Sequence, residues 1–458
     1  MPTRRSFVVA SLAASFATSL LPQIARAKEG ADLHLLWDVA SGASNEAKAA
    51  LATIRQDNRR DLAAGLILVL RFVPEREGEV TATLRTLTGE AKASDWFEWM
   101  LWQEKHPEFV PHPACVEFMR DIYLRIDPAF DAFLRPEYLT RAAAKIRAEE
   151  ITWGGVVKDG IPALDNPTLI SAAEASYLRA DDLVFGVSIN EDARAYPLRI
   201  MGWHEMFNEV IGGVPVALAY CTLCGSGILY ETKVAGRAKP LVFGSSGFLY
   251  RSNKLMFDRA TSSLWNQFTG KPVIGKLANS GIELVQRPVV IARWEDWAVA
   301  NPKTRVLALD TGYQRDYGSG VVYQDYFASK DLMFPALADQ SRQGQKDYVF
   351  GIRRFGGAKA WPLTAFHRIP VINDAVADFP VVLLGDTDSR TVRAYERGDL
   401  SFALQSGQLV SKDGVVWQQG EAALQAADGR SLARVAGSVS YWFAWDGYLG
   451  DGAELYRE

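Results

Sequence analysis

The spacing of apolar and polar positions divides the chain into two regions of different character. Between residues 28 and 150, apolar side chains recur every three or four positions with Lys, Arg and Glu between them, most regularly in the segments 46–55, 96–103, 115–125 and 136–149. This spacing places the apolar side chains on one face of a helix. We therefore predict a helical N-terminal domain over residues 28–150.

The pattern changes near residue 150. Glycines and prolines between residues 154 and 167 mark a loop, and short apolar runs typical of strands dominate from Val184 onward. We therefore predict a β-rich domain over residues 151–458, and the predicted fold class is α+β, with the helices placed before the strands.

An internal similarity lies within the β-rich region. Residues 184–230 align without a gap onto residues 349–395, and 13 of the 47 aligned positions are identical. The shared residues are mostly apolar, Gly or Pro, so the two segments have a backbone in common rather than a reactive group. We predict two tandem homologous repeats, near residues 180–345 and 346–458.

The first residues have the features of an export signal. Arg4 and Arg5 precede an apolar run over residues 7–21, and Ala25 and Ala27 provide the small residues of a cleavage site. This order predicts a twin-arginine signal peptide at residues 1–27, cut after Ala27, and a periplasmic protein. The alternatives are an ordinary Sec signal and a helical anchor, although the run is shorter than the roughly 20 apolar residues that a span needs.

Composition narrows the class of partner. The 458 residues carry a formal net charge of −4, which becomes more negative when the basic signal segment is removed. Nucleic acid is therefore excluded as a partner. No later apolar run is long enough to span a membrane. The partner is expected to be a small molecule or a protein whose identity the sequence does not give.

The candidate chemistry begins with two cysteines at the end of an apolar run. Cys221 and Cys224 are three positions apart and Gly225 follows them, as in the turn of a metal-binding knuckle. Three interpretations stay open: a metal site, a redox-active dithiol, and a plain structural disulfide or pair of buried thiols. The third cysteine, Cys115, is predicted to be a buried small residue.

His204 is the best candidate for a third metal ligand. It flanks a predicted helix whose apolar stripe includes Trp203, Phe207 and Val210. Two thiolates and one imidazole with an open position suit zinc, copper or iron. Glu205, beside this histidine, is a candidate general base or orienting residue.

The internal similarity separates these candidates from the scaffold. At the offset of 165 residues, the positions of Cys221, Cys224, His204 and Glu205 are occupied by other residue types in the second segment, namely Asp386, Ser389, Ile369 and Pro370. If these residues only held the fold together, both segments would be expected to contain them. The site is therefore predicted to be a specialisation of the first.

Two polar segments lie downstream. Asp258 and Arg259 occur among apolar and aromatic residues, and Arg315 and Asp316 lie in a Gly-rich segment. One interpretation is that such neighbouring charges close β-turns. The other is that they line a pocket over the metal, where Asp258 and Arg259 join Glu205 as catalytic residues.

Several motifs together resemble the DUF3179 family, and the similarity covers roughly residues 150–458. They are Lys158–Asp165, Arg194–Pro197, His204–Glu205, Gly212–Val216, Tyr220–Gly225, Phe257–Trp265 and Asp310–Gly312. One departure is Thr222, where the family usually has a proline between the cysteines. The resemblance implies no settled activity.

These observations favour an exported metal-binding protein, with a metal-dependent oxidoreductase as the leading hypothesis. A dithiolate site suits soft or redox-active metals. The alternatives are a non-catalytic protein that handles metal or binds a partner, and a dithiol/disulfide oxidoreductase that uses Cys221 and Cys224.

Overall fold

The computed structural model describes residues 30–449 and 452–457, so the predicted signal peptide lies outside the described residues. The α-helices, numbered here in chain order, are α1 Ala31–Ser41, α2 Ser44–Gln56, α3 Ala63–Phe72, α4 Glu77–Thr88, α5 Trp96–Lys105, α6 Pro113–Ile126, α7 Pro136–Leu139, α8 Leu198–His204, α9 Trp294–Ala300, α10 Gln324–Ala328 and α11 Trp442–Leu449. Short 3-10 turns occupy Arg60–Leu62, Pro74–Arg76, Pro128–Ala132, Ala148–Glu150, Ala172–Glu174 and Leu363–His367.

The strands begin at residue 151 and continue to the end of the described chain. They are β1 Ile151–Trp153, β2 Leu164–Asp165, β3 Leu169–Ser171, β4 Leu183–Ile189, β5 Asp192–Pro197, β6 Met206–Ile211, β7 Val214–Cys221, β8 Ser226–Glu231, β9 Phe243–Tyr250, β10 Asn253–Asp258, β11 Leu264–Asn266, β12 Lys271–Ile274, β13 Gln286–Arg287, β14 Val290–Arg293, β15 Arg305–Leu307, β16 Tyr348–Arg354, β17 Gly357–Pro362, β18 Val371–Val376, β19 Phe379–Asp386, β20 Thr391–Glu396, β21 Phe402–Gln405, β22 Gln408–Ser411, β23 Val416–Gln419, β24 Ala423–Ala426, β25 Ser431–Val435, β26 Ser438–Tyr441 and β27 Glu454–Leu455. The sequence-based expectation of N-terminal helices followed by a β-rich region is therefore confirmed.

The N-terminal helices pack around an apolar core. Leu36, Leu66, Trp99 and Phe118, each from a different helix, have almost no exposed surface. Local sequence fixes where these helices begin: the Asp95 carboxylate caps α5 by accepting a hydrogen bond of 2.9 Å from the backbone N–H of Glu98. In the described part of the chain, no helix is both long and apolar enough to cross a bilayer.

The strands form five sheets. Their strand orders are β1-β9-β10-β11-β12, β13-β8-β7-β6-β2, β14-β4-β5-β15-β3, β26-β16-β17-β27 and β18-β19-β20-β25-β24-β23-β22-β21. Most neighbours are antiparallel, and the parallel pairs are β2 with β6, β5 with β15 and β17 with β27. The apolar residues of these sheets form the central cores of the molecule.

Two groups of five strands have the same internal geometry. We call β4–β8 the first strand set and β16–β20 the second strand set. Every strand of the second set begins and ends 165 residues after its counterpart in the first. The cross-strand register follows the same offset, since Gly186 pairs with Ala195 and Gly351 pairs with Ala360.

The contacts around the two strand sets also correspond. Asn208 exchanges two hydrogen bonds with the backbone of Phe243, at 2.8 and 2.9 Å, and Asn373 exchanges two with Phe402, both at 2.8 Å. In each set a glycine lies under a tryptophan ring, where a Cβ atom would come within 2.3 Å of the ring atoms. The sequence similarity therefore reflects matching packing as well as matching strands.

The predicted helix around His204 is shorter than expected. The helix ends at His204, and residues Met206–Ile211, which supplied half of the apolar stripe, form strand β6. Glu205 ends the helix because its φ of +54° is left-handed. Pairing of β6 with β7 then replaces the helical hydrogen bonds, so the prediction of a continuous helix was wrong beyond residue 204.

Arg251 connects the helical region with the sheets. Its guanidinium lies 2.8 Å from the Glu150 carboxylate and 3.5 Å from that of Glu104 on α5, and it donates to the carbonyl oxygen of Gly447 on α11. The other carboxylate oxygen of Glu104 accepts from the backbone N–H of Leu337 at 3.1 Å. Burial is the main cause that raises the pKa of Glu104, to about 7.

Candidate functional site

The two cysteines lie in the turn between β7 and β8. Cys221 is the last residue of β7 and is paired with Ser226, the first residue of β8. The turn is closed by a hydrogen bond of 3.1 Å from the backbone N–H of Cys224 to the carbonyl oxygen of Cys221. Gly225 is required here, because its φ is +61° and a Cβ atom would lie 2.9 Å from the ring of Tyr348.

Cys221 and Cys224 form a disulfide, and their Cα atoms are 5.2 Å apart. Both side chains are almost completely buried, at 2% and 0% exposure. The sequence analysis therefore placed these two sulfurs together correctly, and the structure joins them directly.

A buried ion pair lies against the same turn. The hydroxyl of Thr222, between the cysteines, donates to one carboxylate oxygen of Glu205 at 2.7 Å, and the Lys254 ammonium donates to the other at 2.8 Å. The Lys254 and Glu205 side chains are only 4% and 8% exposed. Because unpaired charges are costly in such surroundings, each group depends on the other.

The backbone holds Glu205 in this position. Its N–H donates to the carbonyl oxygen of Met201 at 2.7 Å, and its own carbonyl oxygen accepts from the N–H of Tyr220 on β7 at 2.8 Å. The left-handed conformation of Glu205 therefore ends α8 next to the cysteine turn. Such conformations are uncommon for residues other than Gly, Asn and Asp.

The hairpin between β9 and β10 supplies the groups beside Cys224. Arg251 and Ser252 form its two-residue turn, and both have positive φ, of 48° and 60°. The carboxamide Oδ1 of Asn253 lies 2.8 Å from Cys224 Sγ, and the carbonyl oxygen of Ser252 lies 3.6 Å from it. The buried hydroxyl of Ser252 has no hydrogen-bond partner among the described residues.

His204 makes two hydrogen bonds of its own. Nδ1 donates to the carbonyl oxygen of Pro162 at 2.9 Å, since a carbonyl can only accept, so Nε2 is left to accept from the Tyr317 hydroxyl at 2.6 Å. Burial is the main cause that lowers the pKa of His204 and keeps the ring neutral. Tyr317 is also hydrogen-bonded to Thr311 at 2.6 Å, so His204 anchors the loop that contains residues 310–318.

Asp258 and Arg259 lie at the opposite end of β10 from Asn253, about 17 Å away at the usual rise per residue. The Asp258 carboxylate accepts from the N–H and the hydroxyl of Thr261, both at 2.7 Å, and from the Trp265 indole at 3.0 Å. Arg259 makes two hydrogen bonds to Asp159, at 2.9 and 3.1 Å. Of the three predicted catalytic residues, the structure brings only Glu205 to the cysteine turn.

The segment that contains α10 covers the turn. The Tyr326 hydroxyl donates to the carbonyl oxygen of Leu223 at 2.7 Å. Burial, and after it the nearby charge of Glu205, raises the pKa of Tyr323 in the same segment.

The other side of the turn contacts the second half of the chain. The backbone N–H of Tyr441 on β26 donates to the carbonyl oxygen of Cys224 at 2.7 Å. The rings of Tyr348 and Tyr441 stack 4.5 Å apart, and Arg390 donates to the Tyr348 hydroxyl at 2.6 Å. The cysteine turn is thus in contact with β26 and with Tyr348 of the second strand set.

Sequence reasoning missed Lys254 and Thr222. The signal for Lys254 was a lysine inside a strand pattern that is otherwise mostly apolar, over residues 253–257. Its partner Glu205 is 49 residues away in the chain, so no local pattern joins the two.

The residues that the structure describes form no complete metal site. Within 30–449 and 452–457, no group of three or more His, Cys, Asp or Glu side chains is arranged to hold a metal ion. Both ring nitrogens of His204 are engaged elsewhere. The metal site therefore stays a prediction.

Comparisons with known proteins give one match. The family described as "Protein of unknown function (DUF3179)" matches residues 158–452, which includes the cysteine turn, Glu205 and the β9–β10 hairpin. Neither the comparison with curated proteins nor that with solved structures found a match. Because the matched segment covers well over half of the sequence, this chain belongs to the DUF3179 family.

Proposed function

We propose that the protein is a dithiol/disulfide oxidoreductase whose reactive pair is Cys221 and Cys224. The observation that carries this proposal is the disulfide itself, formed between two residues of one short turn beside a buried ion pair and an amide oxygen. A disulfide that only stabilises a turn needs neither a charged lysine nor a charged glutamate next to it.

The second strand set supports this assignment. We propose that the two sets are copies of one duplicated unit, because strand bounds and register follow a single offset. At the positions of the cysteines the second set has Asp386 and Ser389, whose side chains hydrogen-bond to each other. Pro370 occupies the position of Glu205. The scaffold therefore forms the same turn without sulfur and without the ion pair.

The reaction is an exchange of thiols. A partner thiolate attacks one sulfur, the bond between Cys221 and Cys224 breaks, and the released thiolate takes up a proton. A second partner thiolate then attacks the mixed disulfide and releases the other cysteine, which is protonated in turn. Two electrons and two protons pass to this protein, and the partner becomes a disulfide.

Thiol labelling of the folded protein tests the proposal. Cys115 is buried and its pKa is raised to about 12 by burial, so a Cys115→Ser background leaves only the reactive pair. We expect no labelled thiol before mild reduction with a small dithiol, two after it, and full return on reoxidation. The variants Cys221→Ser and Cys224→Ser should exchange no disulfide.

The control uses a reductant concentration that opens the disulfide in the unfolded protein. If the pair stays bridged in the folded protein at that concentration, the disulfide is purely structural. The same outcome would remove the oxidoreductase proposal.

A metal-bound form of the reduced pair is the second candidate function. The observation that favours it is the Asn253 carboxamide oxygen beside Cys224 Sγ, which adds an oxygen donor to the two sulfurs. His204 joins them only if it gives up Pro162 and Tyr317. Elemental analysis for zinc, copper and iron after reduction decides this: equal metal content in the wild type and in Cys221→Ser contradicts it.

We also propose that residues 1–27 direct export through the twin-arginine route to the periplasm. The support is the paired arginines ahead of an apolar run and the small residues at the cleavage site. The measurement is the mass of the protein recovered from the periplasm, which should begin at Lys28. Replacement of Arg4 and Arg5 by lysine should keep the uncut chain in the cytoplasm, and unchanged processing would contradict the route.

A further inference from the structure

The side chain of Asn253 is placed to accept a hydrogen bond from a thiol. It is fully buried, and its Oδ1 lies 2.8 Å from Cys224 Sγ. At its other end, Nδ2 donates a long hydrogen bond of 3.5 Å to the carbonyl oxygen of Arg251. Among the described residues, Oδ1 has no hydrogen-bond contact other than this approach to Cys224 Sγ.

The thiol and the disulfide form of Cys224 differ in whether they can donate a hydrogen bond to this acceptor. A thiol carries an S–H that donates to Oδ1, whereas a disulfide sulfur carries no hydrogen. Oxidation therefore leaves a buried acceptor without a donor, which is unfavourable, and reduction restores the bond. The carbonyl oxygen of Ser252, 3.6 Å from the same sulfur, is a second acceptor for this S–H.

We infer that the β9–β10 hairpin favours the thiol form of Cys224, so that the protein passes its disulfide to partner molecules that carry two thiols. This inference rests on the proposed oxidoreductase function and gives it a direction. The partner dithiol loses two electrons and two protons and becomes a disulfide, and Cys221 and Cys224 become two thiols. Asn253 acts as a positioning residue, because it acts through the sulfur.

The second half of the chain offers a matched control. The β21–β22 hairpin also has a two-residue turn, Ser406–Gly407, with positive φ at both residues. Gln408 follows that turn as Asn253 follows the first, but Gln408 is exposed. Its truncation should leave the cysteines unaffected.

The test is the equilibrium between the folded protein, in the Cys115→Ser background, and mixtures of reduced and oxidised glutathione. The fraction of dithiol is read by thiol labelling and mass measurement. Asn253→Leu and Asn253→Ala both remove the acceptor and differ in volume. In both, we expect the equilibrium constant to move about tenfold toward the disulfide, which is about 30 mV. Gln408→Leu should not move it.

The outcomes separate the two proposals. A wild-type pair that does not exchange with glutathione overturns the oxidoreductase function and the inference together. A wild-type pair that exchanges normally, with constants in both Asn253 variants within twofold of the wild type or shifted toward the dithiol, overturns the inference alone. If the equilibrium constant shifts in only one of the two variants, the cause is the change in side-chain volume and not the loss of the acceptor. That result also overturns the inference.

Discussion

Glu205 and Lys254 show how a buried charge is tolerated in this protein. Each carboxylate oxygen of Glu205 has its own donor, one from Lys254 and one from Thr222. In surroundings with few other polar partners, removal of one charge leaves the other uncompensated. Removal of both leaves a neutral pocket. The pair is thus expected to behave as one unit in stability measurements.

We predict that Lys254→Met lowers the free energy of unfolding by about 3–5 kcal/mol, because the Glu205 carboxylate stays buried without its cation. The double variant Glu205→Gln/Lys254→Met should recover most of this loss. Urea unfolding of the three proteins at neutral pH measures both values. Additive losses in the double variant would show that the two side chains are not coupled.

At the scale of single residues, the sequence identified the cysteine pair better than the residues around it. The cysteines could be found because they are only three positions apart in the chain. Glu205 could be found because it follows His204, which was the candidate third metal ligand. His204 was predicted to bind a metal together with the two sulfurs, but its ring is hydrogen-bonded to Tyr317, which is 113 residues away in the chain. Contacts over such separations depend on the fold, so local spacing does not reveal them.

The β9–β10 hairpin is the element that places Ser252 and Asn253. Its turn has two non-glycine residues with positive φ, at 48° and 60°, although tight turns of this kind favour Asn and Gly. The hydroxyl of Ser252 is also buried without a partner in the part of the chain described. We therefore expect the β9–β10 hairpin to be less stable than a hairpin of the same length with a glycine in its turn.

We predict that Ser252→Gly raises the stability by about 1 kcal/mol, because glycine adopts positive φ without a steric cost. Ser406→Gly in the β21–β22 turn, where Ser406 has a φ of 51° and is exposed, is the matched control. It should gain a similar amount from the backbone alone. Thermal unfolding compares the two, and a loss of stability confined to Ser252→Gly would assign a role to its hydroxyl.

The elements that the sequence predicted well are those with a strong local period. The helices within residues 46–55, 96–103 and 115–125 follow from apolar residues three to four positions apart. The predicted helical segment 136–149 is an α-helix only at Pro136–Leu139, so that prediction was wrong beyond residue 139. The segment 206–211 failed because its apolar residues fit a helical stripe, whereas pairing with β7 decided its conformation. Strand pairing is a long-range choice that overrides local periodicity.

At the scale of the whole molecule, the helical region is joined to the sheets through charged groups. Glu104 on α5 and Glu150 both face Arg251, and Arg251 lies in the turn that precedes Asn253. Burial raises the pKa of Glu104 to about 7. The folded state therefore holds a proton at Glu104 at pH values where the unfolded chain has released it.

This proton gives stability a pH dependence of known sign. Between the ordinary pKa of a glutamate and about 7, the folded state binds more protons, so the free energy of unfolding falls as the pH rises, by up to about 3 kcal/mol. We predict that Glu104→Gln removes this fall. Urea unfolding at pH 5 and pH 8 measures it, and replacement of the exposed Glu117 by Gln serves as control. An unchanged pH dependence in Glu104→Gln would contradict the prediction.

The hydrogen bond between Asp386 and Ser389 has a consequence for the cysteine turn. A loop of the same shape is closed there by two polar side chains alone, so this geometry needs no covalent link. Opening of the disulfide between Cys221 and Cys224 should therefore leave the surrounding sheets intact. If the proposed exchange occurs, we expect the protein to pass between its bridged and its dithiol states without unfolding.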